Sequence, residues 1–170
     1  IFQTRHPEAS ENEIDQAARI LGIDAVKYSD LSNHRIKDYQ FSYEKMLRFD
    51  GNTAAFILYS YVRIFGIFRK VGLDPIAFQG AFSVTHPSER DLMLHLIRFK
   101  ETIDKVTDDL LPNRLTDYLY GLAELFNVFF RDCRVEGSPE EKSRLRLCQA
   151  SLFVLQKGLS LLGLKTLTWM

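Results

Sequence analysis

The chain has 170 residues, of which 46% are hydrophobic, and its 22 basic side chains balance 22 acidic ones. A chain of this length and apolar content can bury a core, so the composition excludes a disordered protein. The formal net charge of zero also excludes recognition of nucleic acid by bulk positive charge. Any such site must therefore be a local patch.

The start of the chain and its two cysteines bear on location. The first residue is Ile1 rather than Met, which suggests a fragment of a longer chain, and the opening residues do not form a signal peptide. The longest apolar runs are too short for a membrane span, so we expect no membrane partner. Cys133 and Cys148 form no Cys-x-x-Cys pair, which favours two reduced thiols in a cytoplasmic protein.

The first 50 residues are predicted to mix helix and strand. Ser10 and Glu13 can form a capping box for a short helix that ends at Gly22. Asp24 can cap a second short helix over the sequence DAVKYSDLS. A strand is predicted next, because aromatic residues there alternate with polar ones: Tyr39, Phe41 and Tyr43.

From Gly51 onward the pattern predicts an antiparallel helix bundle. A first helix capped by Asn52 or Thr53 runs to Gly72. The others are predicted from Pro87 to the residues before Pro112, from Asn113 to Cys133, and from Pro139, capped by Ser138, to Gly163. The predicted fold is mainly α: a helix bundle at 51–170 preceded by a small α/β remnant at 1–50.

Residues that could form a catalytic or metal site are scattered. None of the histidines has a second ligand at metal-binding spacing: His6, His34, His86 and His95. Phosphate-binding loops, dinucleotide-binding motifs and nucleophile elbows do not occur. We therefore expect no catalytic residue, no metal and no cofactor in this part of the protein, which has the pattern of a binding or structural piece.

The helix predicted over 52–72 has two distinct faces when its residues are placed 100° apart. One face, with Gly66 beside it, combines two rings with two cations: Phe56, Tyr59, Arg63, Ile67 and Lys70. The opposite face is predicted to pack in the core: Leu58, Tyr61, Phe65 and Phe68. A second group of rings and cations ends a later helix: Phe129, Phe130, Arg131 and Arg134.

Two interpretations of the first face remain open on the residues alone. Aromatic side chains are mostly buried, which favours Phe56 and Tyr59 as core residues with Arg63 at the edge. Alternatively, the rings stack on unpaired bases while Arg63 and Lys70 contact phosphates, as in proteins that bind single-stranded RNA.

Four segments together resemble the C-terminal part of the arginyl-tRNA synthetase family. They are AVKYSDLSNHRIKDYQFSYEKML, GNTAAFILYSYVRI, LTDYLYGLAELFNVFFRDCRVEGSPEEKSRLRLCQA and GLSLLGLKTLTWM. Their order and spacing also match, and together they cover nearly the whole chain.

The resemblance implies a class I aminoacyl-tRNA synthetase, a cytoplasmic ligase of protein biosynthesis that uses ATP, with Mg, to charge arginine onto its tRNA. The class signatures of its Rossmann-type catalytic domain are not in this chain, so the fragment should be inactive alone. Residues 1–50 would be the tail of the catalytic region, which contacts the tRNA stem. Residues 51–170 would be a helical anticodon-binding domain of the DALR type, and no oligomer is expected.

The resemblance also implies which residues meet the anticodon loop of arginine tRNA: Phe56, Tyr59, Arg63, Phe130 and Met170. Tyr59 and Arg63 match the family, whereas Phe56 and Phe130 stand where tyrosine is common. Their rings can still stack without the hydroxyl. The alternative is a helical protein-interaction module without RNA binding, in which the same face docks a partner helix.

Overall fold

Residues 9–169 are described by a computed structural model of the chain, and within this range they form seven α-helices and no strand. In chain order the helices are α1 (Glu11–Ser32), α2 (Tyr43–Met46), α3 (Ala54–Lys70), α4 (Pro87–Ile97), α5 (Phe99–Asp109), α6 (Asn113–Asp132) and α7 (Glu141–Leu161). The mainly helical fold predicted from the sequence is confirmed.

The core lies where α3, α6 and α7 pack against one another, with α1 across α3 and α6 and α4 across α6 and α7. Many of its leucine and phenylalanine side chains are completely buried, among them Leu58, Phe68, Leu122, Phe126 and Leu145. Because each helix buries one apolar stripe, the polar face of each helix stays at the surface. The short helix α5 packs on α6 and buries no residue fully.

Several predicted helix starts are confirmed by their capping hydrogen bonds. The hydroxyl of Ser10 accepts from the N–H of Glu13, whose carboxylate accepts from the N–H of Ser10 in return. Thr53 caps α3 by accepting from the N–H of Phe56 at 3.2 Å. Pro87 opens α4, as predicted, since a first-turn residue needs no N–H partner.

The first helix differs from the prediction of two short helices. It continues through Gly22 as one element of 22 residues. Leu21, Ala25 and Tyr28 continue the apolar stripe toward the core, and Gly22 does not adopt the positive φ that ends a helix. Tertiary packing therefore outweighs the weak breaking tendency of a single glycine.

The predicted strand, and with it the α/β remnant, is wrong for residues 9–50. The segment 38–42 is irregular, and Tyr39 donates a hydrogen bond to the carboxylate of Asp30. The rings of Phe41 and Tyr43 pack edge to face with their centroids 4.7 Å apart. Ser42, between them, is the N-cap of α2. The alternating pattern cannot form a ladder here, because residues 9–169 offer no second strand to pair with.

Two later helix boundaries also differ from the prediction. The single helix expected over 87–111 is interrupted at Arg98, which separates α4 from α5, and it ends at Leu110 with φ of 57°. The last helix begins at Glu141 rather than at Pro139, because the Ser138 hydroxyl donates to the carbonyl of Val135 instead of capping.

The segment after α7 is tied to the first helix. The buried carboxylate of Asp24 accepts a hydrogen bond of 2.8 Å from the N–H of Lys165, and Lys27 donates to the carbonyl of Gly163 at 3.1 Å. Burial raises the pKa of Asp24, although the bond from Lys165 acts against it. Arg69 on α3 donates to the carbonyl of Thr168 at 3.3 Å.

Candidate nucleic-acid interface

Arg63 lies at the centre of a group of side chains at the α3–α6 interface. Its guanidinium carbon is 4.7 Å from the centroid of the Tyr59 ring and 5.4 Å from that of Phe130. Tyr59 stands one turn before Arg63 on α3, whereas Phe130 comes from the end of α6. Both distances fall within the range of cation–π attraction, so two rings hold one cation.

Hydrogen bonds fix the edge of the same guanidinium. Its Nη1 donates to Oδ1 of Asn127 at 2.7 Å, and its Nη2 donates to the hydroxyl of Tyr59 at 3.1 Å. The amide of Asn127 in turn donates to Ser60 Oγ at 3.4 Å. We call Tyr59, Ser60, Arg63, Asn127 and Phe130 the Arg63 cluster.

Phe56 lies outside the Arg63 cluster. Its ring packs at 5.5 Å from that of Tyr120 and is partly buried against the core. The Tyr120 hydroxyl donates to the carboxylate of Glu124 at 2.7 Å, which raises the pKa of that hydroxyl. The packing thus brings an acid close to a face whose own helix has none.

Lys70 is also separate from the Arg63 cluster. Its ammonium pairs at 2.5 Å with the carboxylate of Glu136, in the loop after α6. The second group of rings and cations, predicted at the end of α6, is also split by the packing. Phe129 is fully buried, whereas Phe130 is 36% exposed. Arg131 pairs with the neighbouring Asp132 at 2.7 Å. Of that patch, only Phe130 therefore joins the group around Arg63.

The two faces predicted for α3 are largely confirmed by burial. Leu58, Tyr61 and Phe68 are buried as expected, while Phe65 is only half-buried. Ile67 was expected on the exposed face but is 3% exposed. Ile67 lies on the same face of α3 as the half-buried rings of Phe56 and Tyr59. The core therefore covers a wider part of α3 than the predicted core face.

Exposure decides which rings of this face are available to a ligand. Tyr59 is half-buried and Phe130 is 36% exposed, so each ring is partly packed and partly accessible. Phe49, which precedes α3, is 43% exposed and meets the Tyr59 ring edge to face at 6.3 Å. The aromatic surface therefore continues from the end of α6 across α3 to the segment before it.

Asn127, Tyr120 and Phe49 were missed by the sequence reasoning. Asn127 and Tyr120 could have been found, because 100° steps along α6 place Tyr120, Asn127 and Phe130 within about 80° of one another. Phe49 gave no such signal, since it lies in a loop whose position depends on the tertiary structure. Met170, the remaining predicted contact, lies outside the described residues.

Among residues 9–169, no cluster of histidine, cysteine and acidic side chains could hold a metal ion. Both cysteines are buried and free, and burial raises the pKa of the Cys148 thiol. None of the helices in this part of the chain is long and apolar enough to cross a membrane.

Known proteins that resemble this chain are arginine-specific tRNA ligases. The chain is 54% identical to the arginine–tRNA ligase of Protochlamydia amoebophila over 98% of its own length and 29% of that protein. Its fold matches the arginyl-tRNA synthetase of Plasmodium falciparum with a TM-score of 0.88, 34% identity and coverage of 99% of this chain and 30% of that one. The match to the arginyl-tRNA synthetase of Thermus thermophilus has a TM-score of 0.85 and 29% identity, and it covers 99% of this chain and 29% of that one.

These matches confirm the resemblance inferred from the sequence and give no support to the alternative of a protein-interaction module. The chain spans only about three tenths of the length of the relatives it matches. Residues 57–170 match the family model of the DALR anticodon binding domain, which covers most of the chain and all of α4 to α7. The chain therefore belongs to the DALR anticodon-binding domain family.

Proposed function

We propose that this chain is the anticodon-binding part of an arginine–tRNA ligase and that the Arg63 cluster contacts unpaired bases of the anticodon loop of arginine tRNA. The observation that carries the proposal is the guanidinium of Arg63 held against two partly exposed rings, Tyr59 and Phe130. A cation fixed among partly exposed aromatics can stack on a base and donate hydrogen bonds to it.

The balance of charge supports recognition by placement rather than by bulk attraction. The chain carries no net charge, and two cations that line a cavity with Phe130, Lys70 and Arg131, are each paired with an acid. Phosphate attraction is blind to sequence, whereas stacking and hydrogen bonds to base edges distinguish one loop from another. A neutral surface with a few fixed donors suits a protein that must reject other tRNAs.

The remaining predicted contacts take different places in the proposal. Phe56 pairs with Tyr120 and is partly buried, so we expect it to support the surface and contribute less to affinity than Tyr59. Met170 stays a proposed contact from the family resemblance alone.

For the longer protein, we propose the activity of its relatives: arginine is joined to its tRNA at the expense of ATP, in the cytoplasm. We propose, from the family resemblance, that ATP and Mg bind in the catalytic region of the longer protein. Residues 1–50 would belong to the tail of the catalytic region and residues 51–170 to the anticodon-binding domain. We expect this part of the protein to be monomeric.

The proposal is tested by titrating the chain into a fluorescent RNA hairpin that carries the anticodon arm of an arginine tRNA. A hairpin with the same stem and a scrambled loop is the matched control. We expect tighter binding of the native loop, and we expect Tyr59→Ala and Arg63→Ala each to weaken it by about 1–3 kcal/mol. Equal affinity for both hairpins would contradict the proposed function.

A further inference from the structure

Asn127 contacts Arg63 from the neighbouring helix, on the side of the guanidinium edge. We infer that Asn127 is a positioning residue that holds the Arg63 guanidinium in one orientation, with its unused N–H groups ready for an acceptor on the RNA. This inference rests on the proposed function, because it names what prepares the same site for its ligand.

The orientation of the Asn127 amide is determined by its neighbours. Arginine can only donate hydrogen bonds, so the atom that faces Nη1 at 2.7 Å must be the carbonyl oxygen Oδ1. The amide nitrogen then points to Ser60 Oγ, whose hydroxyl itself donates to the carbonyl of Phe56 at 3.2 Å. Ser60 is fully buried and cannot turn toward water. A chain of hydrogen bonds thus runs from the α3 backbone through Asn127 to Arg63.

The same contacts leave part of Arg63 available. A guanidinium has five N–H donors, of which the described contacts use one toward Asn127 and one toward the Tyr59 hydroxyl. Three donors remain for a base edge or a phosphate. Because the side chain is held before the ligand arrives, binding costs less conformational entropy than it would for a free arginine.

An amide suits this role better than a carboxylate. Aspartate at position 127 would also accept from Nη1, but its charge would cancel that of Arg63 and repel the RNA. Asn127 orients the guanidinium without neutralising it, so the full positive charge stays available to the ligand. The two substitutions Asn127→Leu and Asn127→Asp therefore separate orientation from charge.

The experiment measures the affinity of the chain for the same anticodon-arm hairpin over a series of salt concentrations. We expect Asn127→Leu to weaken binding about tenfold with an unchanged salt dependence, because the orientation is lost while the charge remains. We expect Asn127→Asp to weaken binding as well and to make the log–log salt slope shallower by about 0.7, the contribution of one phosphate contact on a single strand.

Asn127→Leu is then repeated in an Arg63→Ala background, whereas Asn127→Asp is not, because its negative charge would repel the RNA even without Arg63. If Asn127 acts through Arg63, Asn127→Leu becomes silent there, whereas a residue that contacts the RNA directly or merely supports the fold would still show its own effect. Gln156→Leu is the control, since Gln156 carries an exposed amide on α7, a helix that contributes no residue to the Arg63 cluster. It should leave the affinity unchanged.

Wild-type affinity in either Asn127 variant, an equal loss from Asn127→Leu in the Arg63→Ala background, or an unchanged salt slope in Asn127→Asp would each overturn the inference. Thermal melting of each variant identifies any loss of fold, and the aspartate variant keeps the size and the acceptor of the native side chain. If wild-type protein fails to distinguish the native loop from the scrambled one, the proposed function fails instead. The two failures are therefore distinguishable.

Discussion

The buried carboxylate of Glu89 accepts a hydrogen bond of 2.7 Å from Nε of Arg144 and thereby joins α4 to α7. Its other oxygen accepts from the N–H groups of Thr85 and His86, at 2.7 and 3.0 Å. Burial acts to raise the pKa of Glu89, but the bonds from Arg144, Thr85 and His86 outweigh it and hold that pKa below its usual range. The ionised pair therefore fixes the start of α4 on the bundle.

Removing one member of this pair should destabilise the protein strongly. Glu89→Ala removes the buried partner of Arg144 Nε, whose side chain is only 12% exposed, and leaves that guanidinium with Glu140 at 3.3 Å as its remaining acid. It also removes the acceptor for the N–H groups of Thr85 and His86, and we expect a loss of about 3–5 kcal/mol. Urea unfolding of the variant and the wild type measures this. Lys100→Ala is the control, because it breaks an exposed pair with Asp104 that is worth less than about 1 kcal/mol. Equal losses in the two variants would contradict the assigned role.

The stability of the protein should fall as His95 becomes protonated. Its Nε2 donates to the carbonyl of Tyr118 at 2.9 Å and its ring stacks on Tyr118 at 4.4 Å. Burial lowers the pKa of His95, with a smaller contribution from the charge of Arg98, and outweighs the bond to Tyr118, which acts to raise it. The neutral form is thus favoured in the folded state. The stability that neutral His95 contributes is fully present above about pH 6.5, the ordinary pKa of histidine. It is lost as the pH falls through the lower pKa of the folded state.

This pH dependence is checked by urea unfolding between pH 7 and pH 5, with His95→Phe as the comparison. The variant cannot be protonated at this position, so its stability should fall less over the same interval. His34→Phe is the control, since His34 makes no contact with the core helices α6 and α7 among the described hydrogen bonds. If His34→Phe removed the same part of the pH dependence, the assignment to His95 would be wrong.

Two helical glycines should respond to alanine with opposite signs. A Cβ on Gly158 would lie 2.5 Å from Cδ2 of Leu119, where α7 approaches α6, so Gly158→Ala should destabilise by about 1–3 kcal/mol. A Cβ on Gly66 would meet nothing within 4 Å, and Gly66→Ala at this exposed position of α3 should stabilise the protein by about 1 kcal/mol. Thermal melting distinguishes the two, and a shift of the same sign in both would contradict the packing described.

The neighbours Phe129 and Phe130 should separate stability from RNA binding. Phe129 is fully buried, so Phe129→Ala should cost about 3–5 kcal/mol of stability. Phe130→Ala should change stability far less, because that ring is 36% exposed, but it should weaken binding of the anticodon-arm hairpin by about 1–3 kcal/mol. Melting curves and RNA titrations on both variants test this, and unchanged RNA affinity in Phe130→Ala would remove that ring from the proposed surface.

Most of the helical residues from α3 onward could be predicted from the sequence, because a one-sided apolar stripe marks the helices and α3 and α4 also have local start signals. Thr53 and Pro87 mark the starts of α3 and α4 through their own backbone chemistry. The alternation of aromatic and polar residues at 39–43 predicted a strand wrongly. A strand needs a second strand to pair with, and residues 9–169 contain none. The break at Arg98 has no glycine or proline to mark it in the sequence, and it separates two helices that both pack on α6.

The candidate site was only partly predictable for a similar reason. Helical spacing along α3 placed Tyr59 and Arg63 on one face, and the structure brings them within hydrogen-bonding distance. The same spacing grouped Phe56 and Lys70 with them, but those two side chains find nearer partners in Tyr120 and Glu136. Which cation is held by rings and which by an acid depends on the neighbouring helix, and periodicity within one helix carries no such information.

The ties between α1 and the segment after α7 limit when the molecule can fold during its synthesis. Lys27 and Asp24 are partnered by Gly163 and Lys165, so nearly the whole chain lies between the two ends of each contact. A nascent chain must therefore release residues 163–165 from the ribosome before α1 can acquire these bonds, and until then the helix has an incomplete docking surface. Contacts of such long sequence separation also slow folding, because the loop they close must be ordered first.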